Sequence, residues 1–445
     1  MGISSTELKV FDWQLKDWPK FTFSRAMLRD ELATFADAFK AVKAALKSPL
    51  PPEAIAETLT AEAVRSSTIE GVNVDESVVM SSICRALGVA YASDGFAKDV
   101  RAEGVAQMVI AVREDWNKPL SEDLVKKWHG LLLSNDNRGI KAGEFRRHKE
   151  PMRVVRTNSY GEMHVRFEAP PSERVPDEMR RFVEIWKKPA TRAADVAFKA
   201  AFMHPHFESI HPFEDGNGRI GRALVAKTLS EGLGAPLILP VSTTIARHRS
   251  AYYEELNAAS RSLDWTSWAA FFVPVLTESL TDFLSALRFV KEKRAYLEKY
   301  AGAFSERAKK VVLRMFEDGE KGVMAGLSAA KWMRMAKVSK PTATRDLAEL
   351  ESSGAIVAQG AGPSTRYRLN CKIAEPIDGI NDGINERINE AVLRLVRNYP
   401  GRGVPFFKAS LIVSKATIER AIASLVAAGK IEHRGSKKTG GYYVK

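Results

Sequence analysis

Cysteine is nearly absent from this 445-residue chain: Cys84 and Cys371 are the only two, and they lie far apart in sequence. That argues against a disulfide framework and fits a reducing compartment. No run of about 18 uncharged apolar residues appears, and the first residues lack a leader pattern. The expectation is a soluble, cytoplasmic protein with no membrane partner. Acidic residues are scarce in one region only. Residues 301–445 hold 25 Lys and Arg against 14 Asp and Glu and carry +11 of the net charge of +13, whereas residues 1–300 carry +2. The basic character therefore belongs to the C-terminal third. The length is enough for two to four domains with real cores.

The densest chemistry lies in His211-Pro212-Phe213-Glu214-Asp215-Gly216-Asn217-Gly218-Arg219-Ile220-Gly221-Arg222. Before it, Ala194 to Ile210 reads as a mostly apolar helix, bent or shortened at Pro205; after it, helical periodicity resumes from Ile220 to Leu229. The stretch is a helix, a sharp loop and a second helix. Its glycines leave the backbone bare, so N–H groups can close on an anion at the positive N-terminus of the second helix. Arg219 and Arg222 share one helix face and can fork onto further phosphate oxygens. Asp215 is a hard oxygen ligand suited to magnesium shared with those phosphates. His211, with an ordinary pKa near neutrality, suits the removal of a proton from an incoming hydroxyl.

This segment resembles the Fic family motif, His-Pro-Phe-x-Asp/Glu-Gly-Asn-Gly-Arg-x-x-Arg, at every position. The related Doc kinases lack the second glycine of Gly-Asn-Gly, so Gly218 favours Fic. The resemblance implies transfer of AMP from ATP to a protein hydroxyl. His211 would be the base and Asp215 would hold Mg2+. Gly216, Asn217, Gly218 and Arg219 would bind the α- and β-phosphates, and Arg222 would orient the γ-phosphate. It also implies a fold class that is mainly α, a helical Fic fold with a β-hairpin flap.

Residues 1–25 are aromatic-rich (Trp13, Trp18, Phe21, Phe23) and read as an arm pinned to the core, followed by a helix from Ser24 to about Lys47. Pro49, Pro51 and Pro52 force a break before the next helix, 53–71, which ends in Ser66-Ser67-Thr68-Ile69-Glu70-Gly71. Gly71 suits a C-terminal cap. The hexapeptide resembles the family's inhibitory motif, Ser/Thr-x-x-x-Glu-Gly/Asn, so Ser66, Glu70 and Gly71 are the expected inhibitory residues. A carboxylate reaching Arg222 would occupy the guanidinium meant for the γ-phosphate.

Residues 73–135 read as helices with an aliphatic core stripe. Within 143–171, Val154-Val155 and His164 to Phe167 flank the turn Asn158 to Gly161 and predict a hairpin. Its spacing resembles the Fic flap, on whose edge an extended target protein would pair. His204, His206 and His211 are set aside as a metal site, because His-x-His needs strand geometry to converge. Tyr252, Tyr253 and Asn257 would flank and hydrogen-bond adenine, or else form a packed aromatic pair with a capping Asn.

The C-terminal third contains a repeat. An offset of 75 residues aligns Val338-Ser339-Lys340-x-Thr342 with Val413-Ser414-Lys415-x-Thr417, Arg345 with Arg420, and Tyr367 with Tyr442. Each copy resembles a winged helix-turn-helix. DNA is one expected partner, through Ser339, Lys340, Thr342, Thr344 and Arg345 or Ser414, Lys415, Thr417 and Arg420, with ribbons bearing Arg366, Arg368, Arg434, Lys437 and Lys438. Dimerisation or protein docking is the other. The expected organisation is an N-terminal region (1–50), a Fic domain (51–300) and two tandem winged-helix units (301–372 and 384–445) joined by a short linker.

Two functions follow. One is an adenylyltransferase modifying Ser, Thr or Tyr hydroxyls of a target and of itself, inhibited by Glu70, which in some relatives also supports AMP removal. The other is a DNA-binding regulator that uses the Fic core as a nucleotide sensor. The oligomeric state, a homodimer included, stays open.

Overall fold

Apolar residues recur at helical spacing along most of the chain, and the computed structural model is accordingly mainly helical. It describes residues 10–91, 99–134, 138–157, 163–317, 319–360, 362–371, 382–410, 415–436 and 440–445. The chain divides into two units, Met1–Phe283 with Asp382–Lys445, and Leu284–Asn381.

The first unit begins with the aromatic arm. Phe21 stacks on Trp265 at 3.6 Å, Phe11 meets Phe167 edge-on, and the indole Nε1 of Trp13 donates to the carbonyl of Glu168 at 2.7 Å. The helices follow in order: α1 (Arg29–Ala45), α2 (Pro52–Ile69), α3 (Glu76–Leu87), α4 (Val100–Glu114) and α5 (Glu122–Leu133). Strands β1 (Arg153–Thr157) and β2 (Met163–Glu168) form the expected antiparallel hairpin. Its turn, Asn158 to Gly161, lies outside the described residues. Next come α6 (Val175–Trp186), α7 (Ala193–Ile210), α8 (Asn217–Leu233), α9 (Val241–Arg247), α10 (Arg249–Ala259) and α11 (Thr266–Lys299), which continues into the second unit. The core between α2, α4, α5, α7 and α8 is filled by Leu59, Val105, Trp128, Phe207, Phe213 and Leu224.

Helix α7 runs unbroken through Pro205, where the sequence predicts a bend or an early end. Proline cannot donate to the carbonyl four residues earlier. That carbonyl, of Ala201, accepts instead from the buried indole of Trp268 at 2.7 Å, so the helix continues without an orphan acceptor. Two glycines of α8 let α7 lie close. A Cβ on Gly221 would fall 2.6 Å from His204, and one on Gly232 would fall 2.5 Å from Val196.

By length and composition α11 could cross a membrane, but 67% of its most apolar stretch is buried in the protein, as in a core helix. Both cysteines are free thiols.

The second unit contains α12 (Glu306–Glu317), α13 (Gly319–Ala325), α14 (Ala329–Ala336), α15 (Lys340–Ser352) and the ribbon of β3 (Ile356–Gln359) and β4 (Arg366–Leu369) around Trp332, Leu347, Leu350 and Ile356. Residues 382–445, part of the first unit, repeat the order with α16 (Asp382–Asn398), α17 (Val404–Ser410), α18 (Lys415–Ala427), β5 (Ile431–Arg434) and β6 (Gly441–Val444). There α16 lies beside α1, and Arg394 Nη1 donates to Asp30 Oδ2 at 3.2 Å. Ser414, Lys437 and Lys438 lie outside the described residues, as do most of the linker and the side chains of Lys415 and Thr417.

Candidate active site

The loop between α7 and α8 is shaped by two left-handed residues, His211 (φ 50°), which ends α7, and Gly216 (φ 84°), which precedes α8. Gly216 meets that requirement without strain; His211 does not, and a non-glycine residue held there marks a constrained site. Asn217 accounts for much of the constraint. Its side chain accepts from the Phe213 amide at 2.9 Å and donates to the Phe213 carbonyl at 2.8 Å, closing the loop on itself. Asn217 was expected among the phosphate ligands; its amide group is spent on the loop, and what it offers an anion is its backbone N–H at the start of α8.

Below the loop, His129 stacks on Phe213 at 3.8 Å. Its Nδ1 accepts from the Gly143 amide at 2.8 Å, so the neutral ring carries its proton on Nε2, 3.1 Å from the Asp215 carbonyl. Arg146 joins the flap to the same loop. It is buried, donating to the carbonyls of His211 (2.7 Å), Pro170 (2.6 Å) and Ile210 (3.3 Å) and to Ser172 Oγ (3.0 Å).

His211 lines a cavity of about 1020 Å³. The cavity is also lined by Glu70, Glu208, Asp215, Gly216, Gly218, Tyr252, Tyr253 and Asn257, and by Val154 and Val155 of the flap. Nδ1 of His211 is 3.3 Å from the Glu208 carbonyl, an acceptor only, so Nδ1 holds the proton and Nε2 is left as the basic nitrogen. Burial, with the Arg146 charge behind it, pushes the imidazole down to about 4 rather than leaving it near neutrality. The Glu208 carboxyl, 3.9 Å away, is pushed up to about 8, by burial first and by the Glu70 charge second. Both groups are uncharged at pH 7, so their proximity is not an ion pair.

Around the start of α8 the charges are arranged for an anion. Arg219 is 3% exposed, and its Nε is buried without an acceptor. Asp215 accepts from Arg138 Nη2 at 2.7 Å, Arg219 Nη2 at 3.3 Å and the Gly216 amide at 2.6 Å. Its pKa is lowered: these arginines outweigh the cost of burial.

Arg222 is fully buried, and α2 takes most of its guanidinium. Nε donates to Ser66 Oγ at 3.0 Å, Nη2 to the Ser66 carbonyl at 2.8 Å and Nη1 to Glu70 Oε1 at 2.7 Å. Burial works against the arginine charge, but the Glu70 carboxylate prevails and holds its pKa above the ordinary value. Glu70 is placed by the end of α2. Gly71 takes φ 75°, its amide donates to the Thr68 carbonyl, and Val72 donates to the Ser67 carbonyl, the pair of bonds that closes a helix at a left-handed glycine. From the other side, Arg249 Nη2 and the Tyr253 hydroxyl both donate to the Ile69 carbonyl, at 2.8 and 3.0 Å. Gly218 leaves room for the carboxylate, since a Cβ there would fall 2.1 Å from Glu70 Oε1.

The three residues expected around adenine are brought to one wall but in unlike states. Tyr252 is buried, its hydroxyl 2.8 Å from His204 Nε2, and Tyr253 is 40% exposed. Asn257 Oδ1 is buried with no partner. His204 and His206 are both buried, and among the described residues no group of three or more His, Cys, Asp or Glu is placed to hold a metal.

Sequence reasoning missed Arg146, His129, Glu208, Arg138 and Arg249. Nothing local in the sequence marks the chemical part each of them plays.

Residues 119–229 match the Fic/DOC family. That segment resembles a Fic domain. The matched segment contains the whole His211 to Arg222 loop, and residues 11–89, which include Glu70, match a second family described as a domain of unknown function, DUF4172. Over 141 residues, 32% of this chain, the sequence is 28% identical to protein adenylyltransferase fic-1 of Caenorhabditis briggsae. Over 66 residues, 15% of this chain, it is 42% identical to a probable protein adenylyltransferase of Aquifex aeolicus (strain VF5). These alignments span 23% and 20% of the two relatives' lengths. Among solved structures, a Fic family protein from Desulfovibrio desulfuricans G20 has a TM-score of 0.50 and 20% identity, covering 79% of this chain and 98% of that one. That likeness is one of fold.

Proposed function

We propose that this protein transfers AMP from ATP to a hydroxyl group of a protein, itself included, and that Glu70 restrains it. The observation that carries the reading is the pairing of a neutral His211 at the wall of a nucleotide-sized cavity with an arginine, Arg222, whose guanidinium an internal carboxylate already holds. The names of the aligned relatives support the same chemistry.

In this reading the triphosphate lies on the N-terminus of α8, where the amides of Asn217 and Gly218 receive it, with Gly216 leaving the backbone open and Arg219 supplying positive charge from behind. The target's Ser, Thr or Tyr hydroxyl gives its proton to His211 Nε2 as its oxygen attacks the α-phosphorus. The bond to the β-phosphate oxygen breaks in line, and pyrophosphate leaves. Mg2+ fits the donor set. Asp215 is an ionised carboxylate at the cavity wall, and one such ligand with phosphate and water completes a magnesium shell. When bound, the ion would neutralise phosphate charge.

The target would add to the free edge of the flap hairpin beside the exposed Val154 and Val155, which holds its hydroxyl over the phosphate. Asn257 Oδ1, which lacks a donor, would receive the adenine amine between Tyr252 and Tyr253.

The test is to incubate Glu70→Gly protein with a cell lysate and ATP labelled at the α- or the γ-phosphate, then map modified peptides by mass spectrometry. Label from the α-position alone, on a hydroxyl side chain and abolished by His211→Ala, is the expected result. Label from the γ-position would make the reaction phosphate transfer.

A further inference from the structure

The Leu284–Asn381 unit has no part in the reaction above, yet its surface is built for a ligand. Helices α14 and α15 are joined by three residues, Lys337 to Ser339, with Lys337 in the left-handed region (φ 53°). Two helices on so short a turn, followed by a two-stranded ribbon, set the second helix as an outward ridge.

The ridge is cationic by arrangement as well as by composition. From Leu327 to Arg345 there are five cations, Lys331, Arg334, Lys337, Lys340 and Arg345, and no acid. None of the five has an ion-pair partner among the described residues. Asp346, the first acid in α15, points inward, where Arg307 holds it through Nη2 at 2.6 Å and Nε at 3.0 Å. The outward positions of α15 are Lys340, Pro341, Thr344, Arg345 and Ala348 and, toward its C-terminal end, Glu349, Glu351 and Ser352, while Ala343, Leu347 and Leu350 are buried. The N-terminal half of α15 thus presents two cations among small side chains, and its exposed acids, Glu349 and Glu351, lie toward the far end.

The ribbon adds a second basic element. On β4, Tyr367 and Leu369 pack on the core, so Arg366, exposed, and Arg368, half-buried, lie on the opposite face.

We propose that this unit binds double-stranded DNA, with α15 in the major groove and Arg366 and Arg368 on phosphates. Duplex DNA is favoured over an acidic peptide because a protruding helix about as wide as the major groove, flanked by a basic ribbon, matches a groove between two phosphate rows. In the second copy Ser414 and the side chains of Lys415 and Thr417 lie outside the described residues, so the proposal rests on the first copy.

The test is fluorescence anisotropy of the full chain with a 30-base-pair duplex of mixed sequence at increasing KCl. The expected result is micromolar or tighter binding at low salt, with a steep salt slope of roughly −0.9 per phosphate neutralised. Lys340→Glu/Arg345→Glu, at exposed positions, should weaken binding by at least about tenfold and flatten the slope by about two. The control Lys16→Glu/Lys47→Glu, two exposed cations of the other unit, should change it less than about twofold. Three results would overturn the proposal: no binding at low salt, equal weakening by both pairs, or displacement of the duplex by single-stranded RNA or an acidic protein at lower concentration.

Discussion

Glu70 Oε1 accepts a 2.7 Å hydrogen bond from Arg222 Nη1 across 152 residues of sequence. Arg222 is fully buried and needs a negative partner. Glu70 is that partner. In the proposed reaction, the same contact that stabilises the fold would therefore occupy the grip that a γ-phosphate requires.

Stability and activity should consequently move in opposite directions. Glu70→Gly leaves the Arg222 charge with only Ser66 beside it, which should cost about 1–3 kcal/mol of unfolding free energy, since Glu70 is partly exposed. Thermal scans should show a lower melting temperature for the variant, and ATP with Mg2+ should raise it more than it raises the wild type's. A variant as stable as wild type without nucleotide would mean that the pair does not hold α2.

Gly218→Ala tests the same contact from the other side. The added methyl would meet the Glu70 carboxylate at 2.1 Å but Arg222 Nη1 only at 3.1 Å. Stability loss should be large in the wild type and small in a Glu70→Gly background, with a coupling of about 1 kcal/mol or more in a double-mutant cycle by denaturant unfolding. Additive losses would mean that the methyl clashes with something other than Glu70.

The Ile69 carbonyl, which accepts from Arg249 and Tyr253, gives a milder handle. Each bond is worth about 1 kcal/mol. Tyr253→Phe removes only the hydroxyl, so the end of α2 should loosen and AMP transfer should rise about threefold to tenfold in initial-rate assays with saturating ATP. A fall in rate with unchanged KM for ATP would place Tyr253 in the reaction and not in the restraint.

The pH dependence follows from the sign of the His211 shift. Its pKa is lowered to about 4 by burial, so the ring is a neutral base at all higher pH values and is lost only as pH falls through about 4. For Glu70→Gly protein, kcat/KM should show no acidic break at the ordinary histidine value of about 6.5. Bound triphosphate adds negative charge beside the ring, so the break in kcat should lie above that in kcat/KM. An NMR titration of the His211 ring with a midpoint near 6.5 in the free protein would contradict the account.

How much of this could be read in advance depended on how local the cause was. The His211 to Arg222 loop, the cap at Gly71, the hairpin at Val154 and Phe167 and the turn at Ser339 are set by neighbours in sequence, and each appears where the sequence puts it. The continuity of α7 through Pro205 was not legible, because the indole that rescues the Ala201 carbonyl sits 67 residues away. Nor was Arg146, whose acceptors are mostly backbone carbonyls that every residue possesses. That the side chain of Asn217 closes the loop on Phe213 was not legible either, because its partners are backbone groups of a neighbouring residue. The His211 pKa was read at its ordinary value because burial is a property of the fold.

The central claim is that Glu70 withholds Arg222 from the triphosphate, and pyrophosphate release with ATP, Mg2+ and the protein as its own acceptor tests it most directly. Glu70→Gly should release pyrophosphate about 10- to 100-fold faster than wild type, the equivalent of one charge-assisted hydrogen bond of about 1.5–3 kcal/mol. Glu70→Gly/Arg222→Ala should fall back to the wild-type rate or below. A Glu70→Gly rate no higher than wild type, or one that survives the loss of Arg222, would contradict the account.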